Sequence, residues 1–285
     1  MSLQLSNAAS TQFDSEVKHA YQGMGKLLGT VTTRNAVVGD TYKFERMGKG
    51  LATERTAPSS DVTPMDITHI RPTATLTDWE APEYTDIYNK AEVNFDEVQQ
   101  LAQTISKALA RRRDQFCIDA MVAGTYSATP AAGEGGQVAV GLTNLTVDKL
   151  RAAQKYFDDN EIDESERFIV ATSSQKASLL AETEVTSSDY ANVKALVNGD
   201  VNTFLGFNFK WIGVRGEGGL PKTGDNRSVF AYHKSAVGEA IGIEMKTRVD
   251  YVPQKSSWLS NGILKGGATI IDNEGIVEII CDETK

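Results

Sequence analysis

An α+β fold follows from three features of this 285-residue chain. A polar β ribbon with a long loop between its strands is followed by one uninterrupted amphipathic helix. Helices and strands then alternate, and the chain closes on further β segments. The ribbon sets the problem. A two-stranded ribbon is marginal alone in water and needs further strands or a packed helix to hold it. No neighbouring segment looks spare for that task, so the economical cover is another copy of the same chain.

Taken in order, residues 1 to about 33 are polar and rich in Ala, Ser, Gln and Gly, with a short helix expected around Asp14–Tyr21. Such a terminus is disordered unless tied down, and in an assembly it becomes an arm laid across a neighbour. The ribbon runs out through Thr41–Arg46 and back through Thr75–Glu80, and Met47 to His69 forms the loop. A helix is predicted from Phe95 to about Val122, with Asn94 as N-cap and Glu97 completing a capping box. Val98, Leu101, Ile105, Leu109, Phe116 and Ala120 repeat at helical spacing, and Gly124 stands where a C′ glycine belongs.

Thr125 to Gly141 is Ala-, Gly- and Pro-rich and reads as a flexible loop at a domain junction. Thr146 caps a second helix that buries Leu150, Ala153 and Phe157 and ends at Asp158–Asn160. Phe168–Ala171 is a short buried strand, and Ser173–Gln175 opens a helix through Leu180. Tyr190 to Leu196 reads as helical. Phe204–Ile212 and Val229–Tyr232 read as strands. Met245–Val252 is a strand closed by Pro253. Ile263–Ile271 and Ile276–Cys281 flank Asp272-Asn273-Glu274-Gly275, a hairpin signal, and that hairpin is expected on the apolar face of the long helix.

Composition is that of a globular protein: 40% hydrophobic and 24% charged. No run of eighteen apolar residues exists, so no membrane-spanning helix is expected. The N-terminal residues lack a basic and then apolar leader, so secretion by signal peptide is not expected. A net charge of -9 argues against a surface built to neutralise a phosphate backbone. A container for nucleic acid need not be basic, because counterions screen its contents. The two cysteines, Cys117 and Cys281, read as unpaired core thiols.

Chemistry-bearing motifs are sparse. The three histidines, His19, His69 and His233, have no metal-ligand spacing. No Gly-x-Ser-x-Gly elbow is present. Gly48-Lys49-Gly50 and the two Gly-Glu-Gly-Gly runs lack a full phosphate-loop pattern and read as turn glycines. Arg111-Arg112-Arg113-Asp114 is the densest charge cluster. Three consecutive helical residues cannot share a face, so the cluster is either a solvated flank or a set of bridges to acidic groups on a neighbouring subunit. The charges of the ribbon and loop, Lys43, Arg46, Lys49 and Arg55 among them, are mixed in sign and suited to fixing register between copies. Trp79 and Tyr84, near the ribbon's base, are the packing anchors.

This order of segments resembles the major capsid proteins of tailed bacteriophages, which share the Hong Kong 97-type shell fold. The local likeness is to short-tailed-phage capsid subunits. It rests on Asp78-Trp79-Glu80-Ala81-Pro82-Glu83-Tyr84-Thr85-Asp86-Ile87 and on Ala110-Arg111-Arg112-Arg113-Asp114-Gln115-Phe116-Cys117-Ile118-Asp119-Ala120. The resemblance implies an N-terminal arm (1–33), an extended loop (34–83), a peripheral domain with the spine helix (84–143 and 246–285) and an axial domain (144–245). It implies a non-enzymatic subunit without cofactor, assembling as pentamers and hexamers into an icosahedral head around double-stranded DNA, by way of a procapsid. The expected partners are copies of itself, a separate scaffolding protein, a portal protein and packaged DNA held without specificity, with no membrane. The expected location is the virion, assembled in the bacterial host cytoplasm. Some members crosslink a loop lysine to a neighbour. Lys43 and Lys49 lie in that region, but no acidic catalyst accompanies them and no crosslink is read from them.

Two other readings compete. An encapsulin-like compartment shell shares the fold but encloses a protein cargo. A soluble α/β enzyme or binding protein would use the 144–245 segment and needs a pocket of convergent polar groups.

Overall fold

A computed structural model describes residues 22–55, 57, 58, 61, 62, 64–88, 97–182 and 203–284. The expected helices at 14–21 and 190–196, and the Asn94 cap, lie outside the described residues. The strands are β1 (Thr32–Arg34), β2 (Thr41–Lys43), β3 (Arg46–Met47), β4 (His69–Ile70), β5 (Thr73–Thr75) and β6 (Thr77–Asp86). The spine helix α1 (Glu97–Val122) follows, then β7 (Tyr126–Ser127), β8 (Gly135–Val138), α2 (Val147–Asp159), β9 (Arg167–Thr172) and α3 (Ser173–Ala181). The remainder is β10 (Thr203–Phe204), β11 (Phe207–Ile212), β12 (Lys222–Thr223), β13 (Asn226–His233), β14 (Val237–Val252), β15 (Ser257–Ile270) and β16 (Ile276–Asp282).

These strands form two principal sheets, ordered β1-β14-β15-β6 and β10-β11-β9-β13-β16-β8-β7, with β12 on β13. Helix α1 joins them. At 26 residues it is about 39 Å long. Its middle packs Ile105, Leu109 and Phe116 against Leu264 of the four-stranded sheet. Its last turns carry Cys117, Ile118 and Met121 into the main core with Phe157, Phe207, Phe230 and Tyr232. One amphipathic helix thus serves two cores, which is why its apolar stripe runs nearly end to end.

The main core is built as the periodicity predicts. Thr146 caps α2 by accepting from the Lys149 N–H, and Leu150, Ala153 and Phe157 are buried. Thr172 and Gln175 form a capping box at α3. β9 lies parallel to β11 and antiparallel to β13. Both cysteines are buried and free.

Four expectations are corrected. The ribbon's return strand is β5, not Thr75–Glu80: Thr41 pairs with Thr75 and Lys43 with Thr73. Residues from Thr77 onward leave the ribbon and pair with Ser257–Gly266 of β15. The alternation of Trp79, Ala81 and Thr85 explains the switch, since it places Trp79 against Phe116 beneath α1. The C-terminal hairpin does not form. β15 is a central strand, already flanked by β14 and β6, so it has no free edge for β16, which pairs instead with β13 and β8. A one-turn 3₁₀ segment at Asn273–Gly275, capped by the Asp272 carboxylate accepting from the Glu274 N–H at 3.0 Å, redirects the chain. Of the two strands of the expected hairpin, β15 is the one that packs on the long helix.

Gly135 and Gly136 are not loop glycines but buried sheet residues in β8. A Cβ on Gly135 would meet the Tyr126 ring at 2.5 Å, and one on Gly136 the Tyr156 ring at 3.0 Å. Gly124 is not a left-handed C′ residue either, because it is absent from the positive-φ glycines. It admits the Tyr126 hydroxyl, which a Cβ would meet at 2.5 Å.

The chain's end is locked electrostatically. The Glu283 carboxylate accepts from Arg227 Nε and Nη2, from Lys222 Nζ and from Gln175 Nε2. The Arg227 hydrogen bond leads in holding its carboxyl down at about 2. A depressed folded-state pKa contributes stability above the unfolded value, near the ordinary 4.5, and loses it as pH falls toward the folded value. Wild type should therefore exceed Glu283→Gln in unfolding free energy above about pH 5, and the gap should close between about pH 4.5 and pH 2; urea titrations across that range measure it. A second expectation concerns Gly267, where a Cβ would lie 2.0 Å from the Thr75 carbonyl oxygen. Backbone cannot yield as a side-chain tip does, so Gly267→Ala should cost about 3 kcal/mol, read as a fall in thermal midpoint.

Candidate assembly interface

The extended loop is rooted in its own subunit and uncovered beyond the root. Phe44, Ala74, Leu76 and Ala240 form a small separate core, with Val37 and Tyr42 against it. Tyr42 meets the Phe44 ring edge-on at 4.9 Å. Gly238 is needed there, because a Cβ would come within 2.7 Å of the Phe44 ring. Beyond that, β3 and β4 add two residue pairs, Arg46 with Ile70 and Met47 with His69.

Two ion pairs fix the root. Arg46 Nη2 lies 2.8 Å from Asp272 Oδ2, and Lys49 Nζ lies 3.0 Å from Glu274 Oε2. Glu274 also accepts from the Gly133 N–H at 3.0 Å. The 3₁₀ turn that breaks the expected hairpin is therefore the same turn that holds the loop. Past Gly48 the ladder ends, and apolar side chains stand in solvent: Leu51 is 83% exposed and Val62 92%, with Met65 half exposed. Lys43 and Arg55 are exposed on this limb.

The arginine cluster has a different character. Five consecutive residues of α1 each hold another part of the same chain. Arg111 Nη1 donates to the Gly23 carbonyl at 3.3 Å. The Arg112 guanidinium lies 3.4 Å above the Trp79 ring. Arg113 makes a bidentate pair with Glu239, Nε to Oε1 at 2.6 Å and Nη2 to Oε2 at 2.7 Å. Asp114 accepts from the Lys26 and Leu27 N–H groups and from Arg215 Nη2. Gln115 Oε1 accepts from the Gly218 N–H at 2.6 Å. Helical geometry fans consecutive residues around the axis, so each meets a different neighbour. The contacts observed for Arg111, Arg112 and Arg113 are thus within the chain, and all three side chains are half-buried.

Asp114 sits almost fully buried, and burial pushes its carboxyl up, opposed by the Lys26 and Leu27 N–H groups and Arg215. It pins residues 26 and 27, and Leu27 is buried in the main core. Thr33 then donates to Glu239 at 3.1 Å, and β1 pairs in parallel with β14. The last part of the expected free arm is therefore stitched into the subunit.

The two aromatic residues expected to anchor the ribbon's base, Trp79 and Tyr84, both lie on β6 and differ in burial. Trp79 is half-buried between Phe116 and Arg112, and its Nε1 donates to Thr77 Oγ1 at 2.8 Å. Tyr84 remains exposed, with Lys255 Nζ 4.0 Å from its ring centre. Sequence reasoning missed Glu239, Arg215 and Lys149. Lys149 is buried and donates from Nζ to the Val140, Thr143 and Ile280 carbonyls, each within 2.8 Å. No spacing marks such residues, because their partners are distant in sequence.

Among the described residues no group of His, Cys, Asp and Glu is arranged to hold a metal ion, and no described helix is long and apolar enough to cross a membrane. The features above are those of a shell subunit: a spine helix under a β sheet, a separate α/β core, and a rooted limb reaching outward.

Comparison agrees across nearly the whole chain. A family model described as phage capsid protein matches residues 5–283, and the chain belongs to that family. Similar solved structures include the capsid of cyanophage P-SCSP1u, with a TM-score of 0.76 at 17% identity over 97% of this chain and 94% of that one. The acid-stable capsid of Helicobacter pylori bacteriophage KHP30 gives 0.77 at 11% identity, over 99% and 97%. The capsid of a native GTA particle gives 0.74 at 16% identity, over 97% and 96%. The curated proteins contain no match. The fold is the Hong Kong 97-type capsid fold, and the chain is a major capsid protein, a structural and non-enzymatic component of the virion shell that assembles with copies of itself. Neither the encapsulin-like reading nor the soluble α/β enzyme is favoured.

Arg113→Ala would leave Glu239, 1% exposed, as an unpaired buried charge. It should lower subunit stability by about 3–5 kcal/mol, whereas Arg112→Ala should cost about 1 kcal/mol. Chemical denaturation of the two variants separates them.

Proposed function

We propose that this chain closes as pentamers and hexamers into an icosahedral head around double-stranded DNA. The observation that carries it is the extended limb, rooted by Phe44, Arg46 and Lys49, with Leu51, Val62 and Met65 exposed beyond the root. Apolar side chains in such a limb gain by burial only against another molecule.

In this reading residues 34–76 are the loop that overlies a neighbour, since β6 pairs with β15, and 77–143 with 246–270 make the peripheral domain. Residues 144–245 make the axial domain, joined by β16, which belongs to its sheet by hydrogen bonding. Lys43, Arg55 and Tyr84 meet neighbouring copies, and Arg46 and Lys49 set the loop's angle from within. Arg111, Arg112, Arg113 and Trp79 contribute indirectly, by holding the spine helix to the arm and sheet. A separate scaffolding protein and a portal protein complete the head, assembly takes place in the host cytoplasm, and DNA is held without sequence preference, in keeping with a net charge of -9.

Expressed with its scaffold, the chain should form closed shells in negative-stain micrographs. A stable monomer at micromolar concentration would defeat the proposal. Deleting Leu51–Asp66 should leave far-ultraviolet circular dichroism and the thermal midpoint of the subunit near wild type while abolishing closed shells, since the excised residues lie outside every described core cluster.

A further inference from the structure

The 3₁₀ turn that replaces the expected hairpin sets two carboxylates within reach of one guanidinium. Arg46 Nη2 lies 2.8 Å from Asp272 Oδ2 and 3.7 Å from Glu274 Oε2. The two acceptors are held to different degrees. Glu274 also takes Lys49 Nζ at 3.0 Å and the Gly133 N–H at 3.0 Å. Asp272 Oδ1 caps the turn by accepting from the Glu274 N–H. Among the described residues, Arg46 is the side chain paired with Asp272 Oδ2. Glu274 is thus anchored without Arg46, whereas Asp272 Oδ2 depends on it.

The groups around this pair are few. From the loop come Arg46 and Lys49, with His69 exposed across the ladder from Met47. On α2 the Tyr156 hydroxyl donates to the Glu134 carbonyl and feels the charges of Asp272, Glu274 and Glu134. The Glu134 carboxylate itself accepts from the Ala131 N–H. Behind the turn, the Ala236 carbonyl accepts from the Asp272 N–H at 3.2 Å. The adjacent Lys234 pairs with Glu166, and His233 bonds to Ser235. Arg46 and Lys49 are therefore the cations that face Asp272.

Burial raises the Asp272 carboxyl above its ordinary value, opposed by Arg46 and the Glu274 N–H. Burial acts the same way on Glu274, but the Lys49 hydrogen bond and the Gly133 N–H outweigh it and leave that carboxyl lowered. A raised value means that the ionised form carries a cost in the fold, and this cost is relieved as pH falls through it. Protonation of Asp272 therefore does not undo the turn.

We propose that Arg46 is an acid-operated latch at the root of the extended loop: as Asp272 takes a proton, the guanidinium passes to Glu274 and the loop resets its angle about the Phe44 seat. The proposal rests on the reading in which Arg46 and Lys49 set that angle, and it adds what changes it. Closing the longer gap moves the guanidinium by about 1 Å. At about 3.3 Å of strand rise per residue, Arg46 is about 7 Å from Phe44 and Leu51 about 23 Å, so the same rotation moves Leu51 by about 3 Å.

Spin-label distances in unassembled subunits test it. A nitroxide on Leu51→Cys is paired in turn with one on Lys155→Cys or Thr247→Cys, all exposed positions, and Cys117 and Cys281 are buried. Between about pH 7.5 and about pH 4, at least one of the two mean distances should shift by about 3 Å. Asp272→Asn keeps a capping oxygen and has no proton to gain, so it should show the acid distance at both pH values. Glu274→Gln lacks the second anion and should broaden on acidification without shifting. His69→Gln should shift as wild type does. A wild-type distance that does not move overturns the latch, as does a shift that survives in Asp272→Asn or is lost in His69→Gln. Carbon-13 titration of the wild-type carboxyl groups is an independent check that needs no variant. Asp272 should protonate before Glu274, and the reverse order overturns the handover. The subunits are unassembled throughout, so a failure to form shells would defeat the shell reading and leave the latch result standing.

Discussion

The structure depends on one helix being held to everything else at one place. Within about one and a half turns of α1, Arg111 to Gln115 reach the arm, the ribbon-side sheet, β14 and the 215–218 loop. The tethers act in a region where the apolar face passes from one core to the other, Phe116 belonging to the first and Cys117 to the second. Hydrophobic packing alone is non-directional and would let the helix slide or roll between two cores. Bidentate and buried polar contacts fix its register. The Arg113–Glu239 pair is the clearest case, since its geometry is specific and its disruption strands a buried charge.

This arrangement separates rigid from adaptable parts. The cores, the spine helix and the stitched segment from Leu27 to Arg34 form a frame whose polar groups are largely answered internally. The extended limb contrasts with it. Its root shares the frame through Phe44 and the Asp272–Glu274 turn, and among the described residues its tip has no such partners.

Much of the frame was legible in the sequence. The periodicity of Ile105, Leu109 and Phe116 gave α1, Thr146 gave the start of α2, and alternation around Phe207 to Ile212 gave a strand. The limb's exposure followed from its polarity. Pairing was less legible. Thr77–Asp86 reads equally well as a ribbon strand or as a sheet edge, and Trp79 finding Phe116 beneath α1 decided it. Ile263–Ile271 and Ile276–Cys281 look like a hairpin because local turn chemistry cannot report that β15 already has neighbours on both sides. The arginine cluster was ambiguous in sequence for a related reason: charge density marks contact, not whose atoms are contacted.

By itself the sequence determined the spine helix, the start of α2 and the strand from Phe207 to Ile212, that Cys117 and Cys281 are core thiols, and that a polar limb projects between two strands. These properties depend on neighbours within a few residues, whose spacing sets face and cap. Tertiary structure alone decided that β16 crosses to the larger sheet, that Glu239 answers Arg113 across 126 positions, and that Asp114 receives the arm at Lys26 and Leu27. Each is a contact between groups far apart along the chain, chosen by which partner leaves no edge or charge unanswered once the rest has packed.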